Sequence, residues 1–156
     1  MSASNGQQVP DGWTVKAIEE VAEVNPRLNK DGLPNDLQVS FVPMPAVGAG
    51  DGTIDLSRER PFSEVRKGFT PFREGDVLFA KITPCMQNGK AAIARNLCNG
   101  FGFGSTEFHV LRSTGSVLPE WLFAFIRQPV FRSAAEGSFT GSAGQQRVPA
   151  DFLKTF

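Results

Sequence analysis

Hydrophobic positions recur at helical spacing near both ends of the chain and at strand spacing between them. After a loose polar leader, Met1–Gln8, Thr14 is placed to cap a helix reaching Val24. Val15, Ile18, Val21 and Ala22 form its apolar face, and Glu19, Glu20 and Glu23 lie opposite. Asn25-Pro26 ends that helix, because the residue before a proline is pushed out of the helical region. A short strand follows over Leu37–Val42. The Pro- and Gly-rich passage Pro43–Gly52 then predicts a surface loop or an irregular sheet edge.

Phe69–Gly75 carries a Pro and a Gly and predicts a corner. From Val77 to Ile82 both alternating faces are apolar, as in a strand buried on two sides, and Lys81 interrupts one face near the end. Ala91–Leu97 and Thr106–Leu111 supply further strands, with flexible turn geometry expected from Asn99 to Gly104. Pro119 suits the first turn of a helix whose apolar face is Trp121, Leu122, Phe125 and Ile126. Pro129 breaks it, a second helical piece covers Val130–Glu136, and Gly137 caps that piece. Ser138–Gln146 is a Gly/Ser/Gln loop, and Val148–Phe156 begins another element. The pattern predicts an α+β fold: a mixed, largely antiparallel β core with an N-terminal helix and C-terminal helices.

At 156 residues the chain suits one domain, expected over residues 13–156 behind a flexible leader of residues 1–12. That length buries roughly two-thirds of the unfolded surface. Its 14 Phe, 2 Trp and no Tyr fill a core without hydrogen-bonding, so polar recognition falls to amides, hydroxyls and cations. No apolar run approaches the ~20 residues of a membrane span, and no signal peptide is visible, so a cytoplasmic location is expected. Cys85 and Cys98 are too few for a disulfide framework, and His109 is the lone histidine. Neither a metal site nor a cofactor is expected.

The formal net charge of zero conceals an uneven distribution. Residues 58–112 hold 9 basic and 5 acidic side chains, whereas residues 1–57 hold 3 basic and 8 acidic. A locally basic middle suits a phosphate-facing surface; a mixed solvated surface is the alternative.

Three stretches carry candidate chemistry. In the turn after Ile82, Gln87 and Asn88 can pair bidentately with adenine, Thr83 adds a hydroxyl, and Lys81 and Lys90 flank them for phosphate or guanine. The alternative is a hairpin closed tightly by Asn88-Gly89. Ser105, Thr106 and Glu107 open the next strand, where hydroxyls suit phosphate or bases and Glu can accept from cytosine N4. Here the alternative is a Glu107 paired with a nearby Arg or Lys. Third, Gly141–Pro149 offers glycine-exposed backbone N–H groups with Gln145, Gln146 and Arg147, as a phosphate clamp or as a plain connecting loop. Gly100–Gly104 lacks the full glycine pattern of a dinucleotide loop, and His109 has no Ser or Cys partner in a triad motif.

Gly75-Asp-Val-Leu-Phe-Ala-Lys-Ile82 and Ser105-Thr-Glu-Phe-His-Val-Leu-Arg112, in that order, resemble the target recognition domain of type I restriction–modification specificity subunits. The likeness runs from Gly12-Trp13 through Phe152. It implies a non-catalytic module that reads one half of a two-part sequence in double-stranded DNA. It also implies partners: modification subunits that bind S-adenosylmethionine and methylate adenine, and a restriction subunit that uses ATP. Members of the family usually carry two such domains joined by long helices. This chain reaches Phe156, about where the first spacer helix is expected, so a monomer is anticipated and docking onto modification subunits is in question. A protein-interaction or decoy role on the same fold is an alternative. A DNA-acting enzyme is another, although no Asn/Asp-Pro-Pro-aromatic methyltransferase motif or acidic nuclease cluster is visible.

Overall fold

The protein is described by a computed structural model that covers residues 8–156. The first seven residues of the expected leader lie outside the described residues. Helix α1 spans Ile18–Val21 and runs directly into strand β1, Ala22–Val24. Next come β2 (Gln38–Val42), β3 (Glu59–Pro61), α2 (Phe62–Val65), β4 (Thr70–Arg73) and β5 (Val77–Ala80). The chain continues through β6 (Ala91–Ile93), β7 (Phe101–Gly104) and β8 (Phe108–Ser113). Three helices close it: α3 (Pro119–Ile126), α4 (Pro129–Gly137) and α5 (Ala150–Thr155).

The strands form two four-stranded sheets. One has the order β1-β8-β5-β6 and is antiparallel throughout; the other has the order β3-β2-β7-β4, where only β2 and β7 run parallel. This is the α+β, largely antiparallel architecture read from the pattern. Its layering explains why every residue of β5 is buried. Val77, Phe79 and Leu111 face a core made with Leu122, Ile126 and Phe131 of the helices. Leu78, Ala80, Val110 and Phe108 face the second sheet, where Phe72 meets them. The far side of that sheet packs Val39 and Phe103 against Phe62 and Val65 of α2. A Phe buried this fully contributes about 1.5–3 kcal/mol.

Several elements differ from the sequence expectation, each for a tertiary reason. The helix expected from Thr14 to Val24 is a single turn, and its N-cap is Ala17, whose N–H donates to the Glu20 carboxylate at 2.7 Å. Ala22–Val24 instead pairs with β8, in the register Val24↔Leu111, because that strand's open edge offers a full ladder of partners. Phe69–Gly75 is mostly strand β4. It lies at a sheet edge, where Pro71 needs no N–H, and the corner falls at Glu74-Gly75-Asp76. The stretch expected as a flexible turn, Asn99–Gly104, ends in β7, a central strand. Its glycines serve close packing: a Cβ on Gly102 would lie 2.1 Å from the Phe72 ring, and one on Gly104 would lie 2.3 Å from the Val42 carbonyl oxygen. Ala91–Leu97 is shortened to Ala91–Ile93, and the strand expected from Thr106 begins at Phe108. Trp121, expected on the core face of α3, is half exposed and stacks on Phe125 with ring centroids 5.2 Å apart.

Candidate functional site

Strand direction gathers the candidate stretches at one end of the molecule. β5 ends there, β6 and β8 begin there, and β7 delivers the chain to residues 105–107 there. Hydrogen bonds then join segments far apart in sequence. The Lys81 N–H donates to the Glu107 carbonyl at 2.9 Å, and the Val148 N–H donates to the Lys81 carbonyl at 2.9 Å. Thr83 and Gln146 bond twice: the Thr83 N–H reaches the Gln146 carbonyl at 2.9 Å, and Thr83 Oγ1 accepts the Gln146 N–H at 3.2 Å. Turn, strand start and Gly-rich loop therefore share one surface.

The turn itself is broader than a two-residue hairpin. Met86, Asn88 and Gly89 donate back to the carbonyls of Ile82, Pro84 and Met86, at 2.9, 3.0 and 3.0 Å. Met86 is buried and anchors the loop from below, while Gly89 takes the positive φ (+76°) that lets the chain re-enter β6. Gln87 and Asn88 are exposed at the tip. Their support is a cation that sequence reasoning did not single out: Arg132 of α4 donates from Nη2 to the Gln87 carbonyl. Arg127 makes the equivalent contact to the Gly50 carbonyl of the neighbouring loop. No pattern in the sequence marks either arginine, since both act on backbone oxygens of distant segments.

Other candidates are already engaged. Arg147 meets Glu107 through two hydrogen bonds of 2.9 Å, so the ion-paired alternative for Glu107 is the one realised. Those bonds hold the Glu107 carboxyl below the usual carboxylate range. Lys90 reaches the Met44 carbonyl with Nζ at 3.3 Å. Ser105 Oγ accepts the Glu107 N–H at 3.1 Å and shapes the strand start. Thr106 and Gln145 are exposed on this end, and the Gln145 carbonyl accepts from Arg147 Nη1 at 3.4 Å.

His109 lies beneath this end and is structural. The Val148 carbonyl can only accept, so the 2.7 Å contact places the ring hydrogen on Nε2; Nδ1 then accepts from the Asn25 side-chain amide at 3.0 Å. Burial pushes its pKa down to about 4. Asn25 adopts φ +52° and also bonds Val110 in both directions, which fixes the exit from β1.

The basic middle read from the sequence does not form one surface. Arg60, Arg95 and Arg112 are paired with Glu64, Glu120 and the buried Asp76, and Arg73, Arg95 and Arg112 sit toward the opposite end of the sheets. A window of sequence crosses both ends of every strand, so its net charge does not map to one face. Among the described residues no group of three or more His, Cys, Asp or Glu could hold a metal ion, and Cys85 and Cys98 are free thiols. No helix of the described residues is long and apolar enough to cross a membrane.

The two-sheet α+β fold is shared with known proteins. No family model matches the chain. It is 39% identical over 149 residues to the type I restriction enzyme EcoAI specificity subunit of Escherichia coli, a match covering 94% of this chain and 25% of that protein. It is likewise 39% identical over 151 residues to the EcoEI specificity subunit of the same organism, covering 96% of this chain and 25% of that protein. Among solved structures, the HsdS subunit from Thermoanaerobacter tengcongensis shares the fold with a TM-score of 0.69 at 21% identity, covering 96% of this chain and 38% of that one. A chain from a study of assembly and conformational transition of the type I R-M system superposes with a TM-score of 0.68 at 21% identity. Over nearly its whole length the chain is similar to a segment of these type I restriction enzyme specificity subunits. It spans about a quarter of the length of the curated relatives it matches.

Proposed function

We propose that the chain is a non-catalytic, sequence-specific binding module for double-stranded DNA, reading one half of a bipartite target for a type I restriction–modification complex. The observation that carries this reading is the 39% identity, over nearly the whole chain, to two type I specificity subunits. The exposed amides of Gln87 and Asn88 support it, since they stand on a braced turn at the loop-built end. In this reading Gln87 and Asn88 contact base edges, with Lys81, Thr83, Thr106, Gln145 and Gln146 around them. Arg147, Glu107, Ser105 and Lys90 hold the loops in position. Modification and restriction subunits are the protein partners of the complete assembly. The chain alone is a monomer, or a weak dimer at high concentration through the exposed Trp13, Trp121 and Val130.

Titration with duplex DNA at low and moderate salt tests the proposal. Dissociation constants near ~10⁻⁴–10⁻⁶ M at physiological salt are typical of non-specific contacts, and a half-site reader improves on them modestly. Parallel incubations with magnesium or S-adenosylmethionine should leave the DNA uncut and unmethylated. Absence of binding to every duplex at low salt, or turnover in either incubation, contradicts the proposal.

A further inference from the structure

A cleft of about 400 Å³ opens at the same end of the molecule, between the start of β4 in one sheet and the adjoining ends of β5 and β8 in the other. Its floor is apolar, built from Pro26, Leu28, Phe69, Pro71, Phe108 and Val110. Above this floor stand three cations, Arg27, Lys30 and Lys81, and two hydroxyls, Thr70 and Thr106; no carboxylate lines the cleft. The ion pairs formed among the described residues use none of the three cations. Glu107, next in sequence to the lining residue Thr106, is already neutralised by Arg147. Lys30 donates to the Arg66 carbonyl, which holds it at the cleft wall. The Asn25 side chain is consumed by His109 and Val110, so that wall is fixed.

This mixture selects among ligands. A small apolar molecule gains nothing from three cations, and a free inorganic anion gains nothing from six apolar side chains. A DNA strand presents both: anionic phosphates at regular intervals, and between them apolar deoxyribose faces. Lys81 lies on the chain segment that continues into the turn holding Gln87 and Asn88, so one bound duplex can reach both places.

We infer that this inter-sheet cleft is a second DNA contact. It takes the sugar–phosphate backbone beside the base pairs read by Gln87 and Asn88, with Arg27 and Lys30 on phosphates and Phe69 and Pro71 beneath the sugar. The inference rests on the DNA-binding reading above. It adds Arg27 and Lys30, which lie in the net acidic part of the sequence, to the interface.

The test compares Arg27→Ala and Lys30→Ala with Arg73→Ala in the full chain, by titration of one duplex pool across a salt series. Arg73 is exposed at the opposite end of β4 and controls for the loss of one positive charge. Each cleft substitution should weaken all duplexes alike and lower the slope of log K against log salt by about 0.9, the value for one phosphate contact. Arg73→Ala should leave the slope unchanged. Thermal melts confirm that the variants are folded, and the exposed Arg27 makes its variant the safer of the two. If the wild-type chain binds and Arg27→Ala matches Arg73→Ala, the cleft assignment is overturned while DNA binding stands. If the wild-type chain binds no duplex at low salt, the functional reading fails and takes the cleft with it.

Discussion

Arg147 and Glu107 face each other fork to fork, Nε and Nη2 each 2.9 Å from a carboxylate oxygen, and this pair fastens the Gly-rich loop to the start of β8. The sequence left Arg147 open between a phosphate clamp and a plain connecting loop. In the proposed reading it is a strut, because a guanidinium already neutralised at short range has little net charge left for a distant anion. Arg147→Ala and Glu107→Gln should each loosen the loop, with at most a small loss of stability because the pair is partly exposed. The double variant should cost scarcely more than either single one, which a denaturation cycle will reveal. The salt slope of DNA binding should stay within error of the wild type. A slope lowered by one unit in Arg147→Ala would return the arginine to phosphate contact.

His109 gives the stability an acid limb. Its pKa is near 6.5 in the unfolded chain and about 4 when folded, so as pH falls the unfolded state takes up the proton first. Stability is therefore full above about pH 6.5, declines between 6.5 and 4, and levels off below for this group, a total of up to about 3 kcal/mol. Glu107, depressed by Arg147, adds a loss that begins only as pH drops below the ordinary carboxylate value of 4.5. Urea denaturation at intervals from pH 7.5 to about 3 checks this. His109→Gln should flatten the upper part of the limb and leave the lower part in place.

Gly102→Ala tests the packing of β4 against β7 within the second sheet. The added methyl would collide with the buried Phe72 ring at 2.1 Å and must displace it, at a cost of about 1–3 kcal/mol or more. Phe72→Leu in the same chain should return part of that cost despite removing core volume itself. Equal midpoints for Gly102→Ala and the wild type in urea would contradict the close approach of β4 and β7.

Gln87→Ala and Asn88→Ala should change discrimination without changing stability, because both side chains are exposed. Loss of a bidentate amide contact relaxes preference at one base pair by about 1–3 kcal/mol, with non-specific affinity nearly intact. Arg132→Ala, which removes the brace under the Gln87 carbonyl, should blur the same preference through loop motion. Comparison of matched and singly mismatched duplexes gives the readout.

What the sequence revealed followed from local rules. β5 was legible because both of its faces are apolar, and α3 because Pro119 opens it and Pro129 follows it. β7 was hidden, since Gly-Phe-Gly-Phe-Gly reads as a turn until Phe72 and Val42 show why no Cβ fits there. The end of α1 was hidden because its strand partner, β8, lies some ninety residues away. At the candidate site, the exposed position of the turn tip at Gln87 and Asn88 was legible. The engagement of Arg147, the bracing by Arg132 and the grouping of Arg27 and Lys30 with Lys81 depend on contacts that no spacing encodes.

The most direct measurement is a binding-site selection from a pool of random duplexes, run on the wild-type chain and on the Gln87→Ala/Asn88→Ala double variant. The wild-type chain should enrich one short contiguous sequence, and the double variant should lose preference at particular positions within it while still retaining duplex DNA at low salt. Enrichment of no sequence by the wild-type chain, or of the same sequence with undiminished preference by the double variant, would contradict a base-reading role for this turn.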